Sequence, residues 1–119
     1  MPRVKRGVTS HRRHKKVLAL TKGHRASKHS LIRRATESMM HSLAYAYAHR
    51  RERKGDMRRL WISRINAASR AEGLTYGQLM HGLEQSGVDV NRKMLADLAV
   101  REPESFRGLV EMARQQVQG

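Results

Sequence analysis

The sequence predicts an all-α protein, in which a basic N-terminal arm and a long helix precede a small helical C-terminal domain. Three observations support this fold class. From about residue 32 onward, apolar residues recur every three or four positions, which is the period of a helix. No segment keeps the alternation of polar and apolar residues that a half-buried strand requires. Glycine, proline and capping residues divide the C-terminal half into short helical lengths.

The first 26 residues are predicted to form an extended arm with one short helical turn near residues 12–21. Before Glu37 the chain contains 12 lysines and arginines and no acidic residue, and its first 30 positions contain few large apolar residues. Such a segment repels itself and buries too little apolar surface to offset the entropy of ordering. We therefore expect the arm to be disordered until it binds a polyanion.

A long helix is predicted from about Ser27 to Ala71, because Gly55 alone interrupts the helix-forming residues there. Its apolar face consists of Ile32, Ala35, Met39, Leu43 and Ala46, followed by Met57, Leu60, Trp61, Ile65 and Ala68. Arg50, Arg53 and Lys54 interrupt this face with charge. That pattern indicates a helix that lies on nucleic acid in its middle and on protein core at its C-terminal end. The alternative is a solvated run of charge on two helices that break at Gly55.

Three short helices are predicted to follow the long one. Their start signals are a capping box of Thr75 and Gln78, an N-cap at Asn91 and a first-turn proline at Pro103, and the stop signals are Gly73 and Gly87. Their inward faces are predicted to carry Tyr76, Leu79, Met80 and Leu83, then Met94, Leu95, Leu98 and Ala99, and then Phe106, Leu109, Val110, Ala113 and Val117. Trp61 is expected to be the largest residue in the core that these helices form.

The charge distribution divides the chain into two predicted domains. Residues 1–59 contain 18 lysines and arginines against 3 acidic residues, and residues 60–119 contain 7 of each, so the whole net charge of +15 lies in the first part. Basic residues that contact phosphates release condensed counterions, which gives strong binding to nucleic acid at moderate salt. The prediction is a nucleic-acid-binding arm and long helix over residues 1–59, and a small globular helical domain over residues 60–119.

Other kinds of function lack the residues that they require. No glycine-rich phosphate loop of the required spacing and no nucleophile elbow is present, so an enzyme is not predicted. The absence of cysteine excludes disulfides and thiolate metal sites, and it favours a reducing, cytosolic location. The histidines of the arm lack the rigid frame that a metal site needs, so neither a metal nor another cofactor is expected. No apolar run of membrane-spanning length and no signal peptide is seen.

Aromatic side chains accompany the cations of the long helix. Arg50, Lys54 and Arg58 recur every four residues and form a ridge suited to following a phosphate backbone. Tyr45 and Tyr47 lie just upstream, where they could stack on unpaired RNA bases, although Tyr47 could instead pack against the helix. The residues alone also leave open a DNA-compacting or regulatory protein. A membrane-active basic helix is a further alternative, but the arm has few of the apolar residues that such a helix needs.

Six blocks of sequence point to one family. They are Pro-Arg-Val-Lys-Arg-Gly at 2–7, Arg-His-Lys-Lys at 13–16, Lys-Gly at 22–23, Tyr-Ala-Tyr-Ala-His-Arg-Arg at 45–51, Arg-Arg-Leu-Trp-Ile-Ser-Arg-Ile-Asn-Ala-Ala at 58–68 and Asn-Arg-Lys-Met-Leu-Ala-Asp-Leu-Ala at 91–99. In this order they resemble the bacterial large-subunit ribosomal protein L20 family over nearly the whole chain.

The resemblance implies a structural constituent of the large ribosomal subunit in the cytoplasm, without enzymatic activity. Such a protein binds large-subunit ribosomal RNA through its polycationic N-terminal extension and aids early subunit assembly. The implied partners are this RNA and neighbouring large-subunit ribosomal proteins, with neither a membrane nor a small-molecule substrate. Some family members also bind their own messenger RNA and repress its translation.

The resemblance also implies which residues contact RNA. Carried over onto this sequence, the contacts are Arg3, Lys5, Arg6, Arg13, His14, Lys15, Lys16, Lys22, Arg50, Arg51, Arg58 and Arg59, with Arg92 and Lys93 in the C-terminal domain. We add to the predicted surface the neighbouring cations Arg12, Arg25, Arg33, Arg34, Arg53 and Lys54.

Two segments depart from the family pattern. After Lys22 and Gly23 the family usually has aromatic residues and a further glycine, where this chain has His-Arg-Ala-Ser-Lys at 24–28, so a stacking contact there is not carried over. Gly55 and Met57 stand where the family often has a basic residue and a phenylalanine. Because glycine costs about 1 kcal/mol relative to alanine inside a helix, we predict that the long helix bends or melts at residues 54–56 when RNA is absent.

Overall fold

The computed structural model describes residue 3 and residues 5–118. The helices are α1 (Gly7–Leu20), α2 (Ile32–Ala71), α3 (Tyr76–Gln85), α4 (Arg92–Arg101) and α5 (Pro103–Gln118), with a 3₁₀ turn at Ala26–His29. No strand occurs among these residues, and the all-α prediction is confirmed. The chain divides into two compact units, one ending at Arg51 and the other beginning at Glu52.

Helix α1 corrects the prediction of an extended arm with one short turn. It spans Gly7–Leu20, so it is longer than the predicted turn and begins five residues earlier. Arginine, lysine, leucine and alanine are good helix formers, and neither proline nor glycine interrupts them between Gly7 and Gly23. One face of α1 is also partly buried, which favours the helix over an extended arm. Ser10, His14, Val17 and Leu18 are half-buried on that face, which continues to the fully buried Thr21.

The turn after α1 uses two residues with positive φ. Gly23 has φ 86°, where glycine carries no steric cost, and Ala26 has φ 57°. For alanine this left-handed conformation is costly, because its Cβ crowds the following carbonyl oxygen. Two backbone hydrogen bonds stabilise the segment around it, from the amides of Ser30 and Leu31 to the carbonyl of Ser27, at 3.1 and 2.9 Å.

Helix α2 is continuous through Gly55, so the alternative of two helices that break there is wrong. It begins at Ile32 rather than near Ser27, because the preceding residues form the 3₁₀ turn. Along its predicted apolar face Ala35 and Ile65 are fully buried, whereas Leu43 is exposed. The helix is therefore anchored in a core near each end, and every residue from 40 to 60 is exposed.

The core of the second unit is built from all four of its helices. Its fully buried side chains include Ile65 of α2, Leu79 of α3, Leu95 of α4 and Phe106 of α5. Helix α5 packs against both α3 and α4. Burial of these apolar side chains is the main source of stability in a domain of this size.

The capping predictions for the short helices are confirmed. The Thr75 side chain accepts from the Gln78 amide, and the Gln78 side chain accepts from the Thr75 amide at 3.0 Å, which completes the capping box. Asn91 accepts from the Met94 amide at 2.9 Å. Pro103 begins α5. The predicted stops are also confirmed, since the glycines at positions 73 and 87 have φ of 85° and 70°.

Two predictions about the core are wrong. Trp61 is half-buried at its edge, and Phe106 is the largest fully buried side chain. Met94 is 54% exposed, while Ala96 is buried in its place. In α4 the inward face is rotated relative to the prediction, because α5 packs against that helix. In α2 the buried side is centred on Ile65 and Ser69 rather than on Trp61.

Candidate nucleic-acid interface

Helix α1 separates its cations from its half-buried face. At 100° per residue, the side chains at positions 12, 15 and 16 point away from the face that contains Val17 and Thr21, and the side chain at position 13 lies at the edge of that face. Arg12, Arg13, Lys15 and Lys16 are accordingly exposed, whereas His14 is half-buried beside Val17. The first unit therefore presents four predicted contact residues together on one side of a rigid element, and His14 lies apart from them.

Apart from Arg50 and Arg51, the other predicted residues of the first unit lie on either side of α1 and at the start of α2. They are Arg3, Lys5 and Arg6 before α1, Lys22 and Arg25 in the turn that follows it, and Arg33 and Arg34 in the first turn of α2. All seven are exposed. No acidic residue precedes Glu37, which pairs with Arg34 at 3.5 Å, so the positive potential around α1 itself is not neutralised locally.

The middle of α2 carries the predicted cationic ridge. Arg50, Lys54 and Arg58 are exposed and follow one another at intervals of one helical turn, about 6 Å along the axis. Tyr47 lies on the same side, with its ring centroid 6.0 Å from the guanidinium carbon of Arg50. It is 66% exposed, so packing does not account for it. The ridge thus joins three cations to one exposed aromatic ring.

The remaining predicted cations of α2 are Arg51, Arg53 and Arg59, which are also exposed. Arg59 pairs with Asp56 at 3.3 Å. Asp56 is two residues from both Lys54 and Arg58, so it lies about 200° around the helix from them. Asp56 is therefore on the side of α2 away from the ridge.

The chain is similar to known proteins over nearly its whole length. A family model described as ribosomal protein L20 matches residues 3–109. The large ribosomal subunit protein bL20 of Dehalococcoides mccartyi (strain 195) is 63% identical over 113 residues, 95% of each chain. The proteins of that name from Thermomicrobium roseum and Moorella thermoacetica are 58% and 56% identical over 114 and 117 residues, at least 96% of each chain.

The chain belongs to the ribosomal protein L20 family. The recognition made from the sequence blocks is confirmed. Membership of the L20 family makes the chain a structural protein of the large ribosomal subunit in the cytoplasmic ribosome, and not an enzyme. Within the described residues, no helix combines the length and the apolar character needed to cross a membrane.

The second unit contributes a cationic cleft to this L20 chain. A cavity of about 560 Å³ lies between the Lys54–Trp61 segment of α2 and the start of α4. Its lining includes Lys54, Arg58, Arg92 and Lys93, all of which were predicted as contact residues from separate parts of the sequence. Trp61 forms part of the wall. The fold therefore brings four cations and the half-buried Trp61 into one concave site.

Arg92 is held in place within this cleft. Its Nε donates a hydrogen bond of 2.8 Å to the hydroxyl of Tyr76 on α3. This bond directs the guanidinium plane while its terminal nitrogens remain suited to a phosphate. The first turn of α4, capped by Asn91, adds the positive end of a helix dipole to the site.

Two features of this L20 chain are not predicted by its sequence. One is the position of Trp61 in the cleft wall, and the other is a groove of the first unit lined by His24, Ser38, His41 and Tyr45. The only local signal for the groove was the four-residue spacing of His41, Tyr45 and His49, which places three rings on one side of a helix. Nothing local indicated the second wall, because it comes from the turn after α1.

Proposed function

We propose that this structural constituent of the large ribosomal subunit binds large-subunit ribosomal RNA through its basic surface and helps to organise that RNA early in subunit assembly. The observation that carries the proposal is the ridge of Arg50, Lys54 and Arg58, which lies within 21 consecutive exposed residues of α2. A helix that exposes cations over such a length gains no packing energy there. Its middle therefore suits contact with another molecule, and the excess of six lysines and arginines over two acidic residues within residues 40–60 favours a polyanion.

The physical basis of the proposed binding is charge neutralisation. Each phosphate that a lysine or arginine contacts adds about −0.7 to −0.9 to the slope of log affinity against log salt. Neutralised phosphates also repel one another less, so an RNA bound along the ridge and α1 can adopt closer packing. This is the contribution to assembly that we propose for the first 59 residues.

The cleft of the second unit supplies a second contact. Arg92, which Tyr76 positions, and Lys93 face Lys54 and Arg58 across it. A cleft of this charge can hold one bend of a phosphate backbone, and the exposed part of Trp61 can contact a sugar or base there. The otherwise neutral C-terminal domain thus binds RNA at a defined place rather than over its whole surface.

The exposed surface of α2 would also contact the other proposed partners. Neighbouring large-subunit ribosomal proteins would contact exposed apolar side chains of α2 such as Leu43, which is 55% exposed. The chain's own messenger RNA would compete with ribosomal RNA for the same cations, which is how self-repression would arise in this member of the family.

A test compares the full chain with two double variants that each lose two positive charges. The first is Arg50→Ala with Lys54→Ala on the ridge, and the matched control is Arg70→Ala with Arg101→Ala, both exposed in the second unit. Binding to a transcript of large-subunit ribosomal RNA and to duplex DNA of similar length is measured by filter retention across a salt series.

The ridge variant is expected to bind the ribosomal RNA about tenfold more weakly, with a salt slope shallower by about 1.5. The control should bind with an affinity close to that of the unchanged chain. Equal affinity of the unchanged chain for RNA and for duplex DNA at every salt concentration would contradict the proposal and favour general nucleic-acid packaging. An equal loss in both variants would show that net charge alone, and not the ridge, determines binding.

A further inference from the structure

The first unit contains a groove that the cationic surface does not explain. It lies between the turn that follows α1 and the first five turns of α2, with a volume of about 730 Å³, within the range of small-ligand sites. A hydrogen bond of 2.7 Å between Nδ1 of His24 and the hydroxyl of Ser38 joins its two walls. The Nδ1 of His29 donates to the carbonyl of His24 at 3.0 Å, which fixes the backbone of the first wall.

A ladder of aromatic rings lies along the α2 wall of this groove. The ring centroids of His41 and Tyr45 are 6.2 Å apart at an interplanar angle of 27°, and those of Tyr45 and His49 are 6.0 Å apart at 13°. Tyr45 is 59% exposed. A tyrosine this exposed adds little to the stability of the fold, and the part of its ring that His41 and His49 leave uncovered is accessible for stacking.

Charge and hydrogen-bonding groups complete the lining. Lys28 and Arg34 provide two cations at the rim, and the acidic residue Glu37 is paired with Arg34 at 3.5 Å. The hydroxyls of Ser38 and Ser42 line the interior. Apart from Ala46 the lining has no aliphatic side chain, which disfavours an apolar peptide segment as the occupant. A planar ring ladder beside cations and hydroxyls matches the chemistry of a nucleotide, with its base, its sugar and its phosphate.

We propose that this groove binds one unpaired nucleotide of RNA, with its base stacked on Tyr45 and its phosphate held by Lys28 and Arg34. The inference rests on the proposed RNA-binding function and deepens it. It names a place where the protein would contact an unpaired base of the RNA, in addition to the phosphate backbone. Stacking accepts any base, so the site selects unpaired over paired RNA more than one base over another.

The test uses the full chain, a transcript of large-subunit ribosomal RNA, and the variants Tyr45→Leu and Tyr45→Phe. Leucine keeps bulk and helix propensity but removes the flat ring, whereas phenylalanine keeps the ring. Tyr45→Leu is expected to weaken binding about tenfold without changing the salt slope, and Tyr45→Phe to bind within about twofold of the unchanged chain. Ultraviolet irradiation of the complex should join the peptide containing Tyr45 to a nucleotide, as detected by mass spectrometry.

Met40→Leu is the matched control, because Met40 lies on the same helix and is as exposed as Tyr45, at 59%, but does not line the groove. Lys28→Ala should make the salt slope shallower by about 0.8, which separates the phosphate contact from the stacking contact. The groove proposal is overturned if Tyr45→Leu binds the transcript as well as the unchanged chain does, or if the crosslinked peptide lacks Tyr45. The wider proposal of RNA binding is tested separately, by whether the unchanged chain prefers the transcript to duplex DNA. If that preference is absent, the wider proposal fails and the groove proposal fails with it.

Discussion

Gly82 of α3 lies so close to Ala113 of α5 that a Cβ atom at position 82 would stand 2.7 Å from the Cα of Ala113. Both residues are buried. The neighbour is backbone rather than the flexible end of a side chain, so it cannot move aside without shifting the helix. This contact explains how α3 and α5 pack closely enough to enclose Leu79 and Phe106 between them.

Gly82→Ala is therefore expected to lower the free energy of unfolding of the second unit by about 2 to 3 kcal/mol, because overpacking forces the two helices apart. The chain has a single tryptophan, Trp61, in this unit, so urea unfolding followed by its fluorescence reports on the affected core. Gly77→Ala on the same helix is the control. Position 77 has nothing within 4 Å of a built Cβ, so that variant should be more stable by about 0.5 to 1 kcal/mol. Destabilisation of both variants by the same amount would refute the packing explanation.

Ala26→Gly is expected to stabilise the turn after α1 by about 1 kcal/mol, because glycine adopts φ 57° without the crowding that alanine suffers. Hydrogen exchange of the Ser30 and Leu31 amides, which donate to the Ser27 carbonyl, should slow about fivefold in the full chain. Gly23→Ala should change the exchange in the opposite direction, since φ at position 23 is 86°. Unchanged or faster exchange in Ala26→Gly would show that the alanine is not strained.

Gly55→Ala is expected to protect the middle of α2 in the protein without RNA. Nothing lies within 4 Å of a Cβ built at position 55, so alanine adds about 1 kcal/mol of helix propensity without a clash. In the unchanged chain, hydrogen exchange at residues 54–56 should be faster than on either side, and the substitution should abolish that difference. Uniform protection from Ala35 to Ala68 in the unchanged chain would contradict the predicted soft joint.

The helices that could be predicted correctly are those whose signals are local. Thr75 and Gln78, three residues apart, satisfy each other's backbone and side-chain groups, and Asn91 bonds to an amide three residues away. Such contacts depend on neighbours in the sequence, so composition and spacing reveal them. The start of α5 at Pro103 follows from the fixed φ of proline.

The features that escaped prediction depend on distant parts of the chain. The density of positive charge in the first 26 residues predicted an extended arm. The burial of Thr21 and the half-burial of Val17 instead favour a helix at α1. The rotation that exposes Met94 is imposed by α5, which follows it in the chain. Likewise the cleft joins Arg58 to Arg92, 34 positions later, and no periodicity within either segment indicates that they meet.

The last helix closes the second unit, and this has a consequence for the order in which the chain is made. Phe106, Val110 and Ala113 of α5 are all buried in the core. Arg107 pairs with Glu72 at the end of α2 at 2.9 Å, and Arg114 donates to the carbonyl of the same residue. During synthesis, which proceeds from the N-terminus, the cations of α1 and α2 emerge well before this core can form. Under the proposed function, the basic half would therefore engage RNA while the rest of its own polypeptide is still being translated.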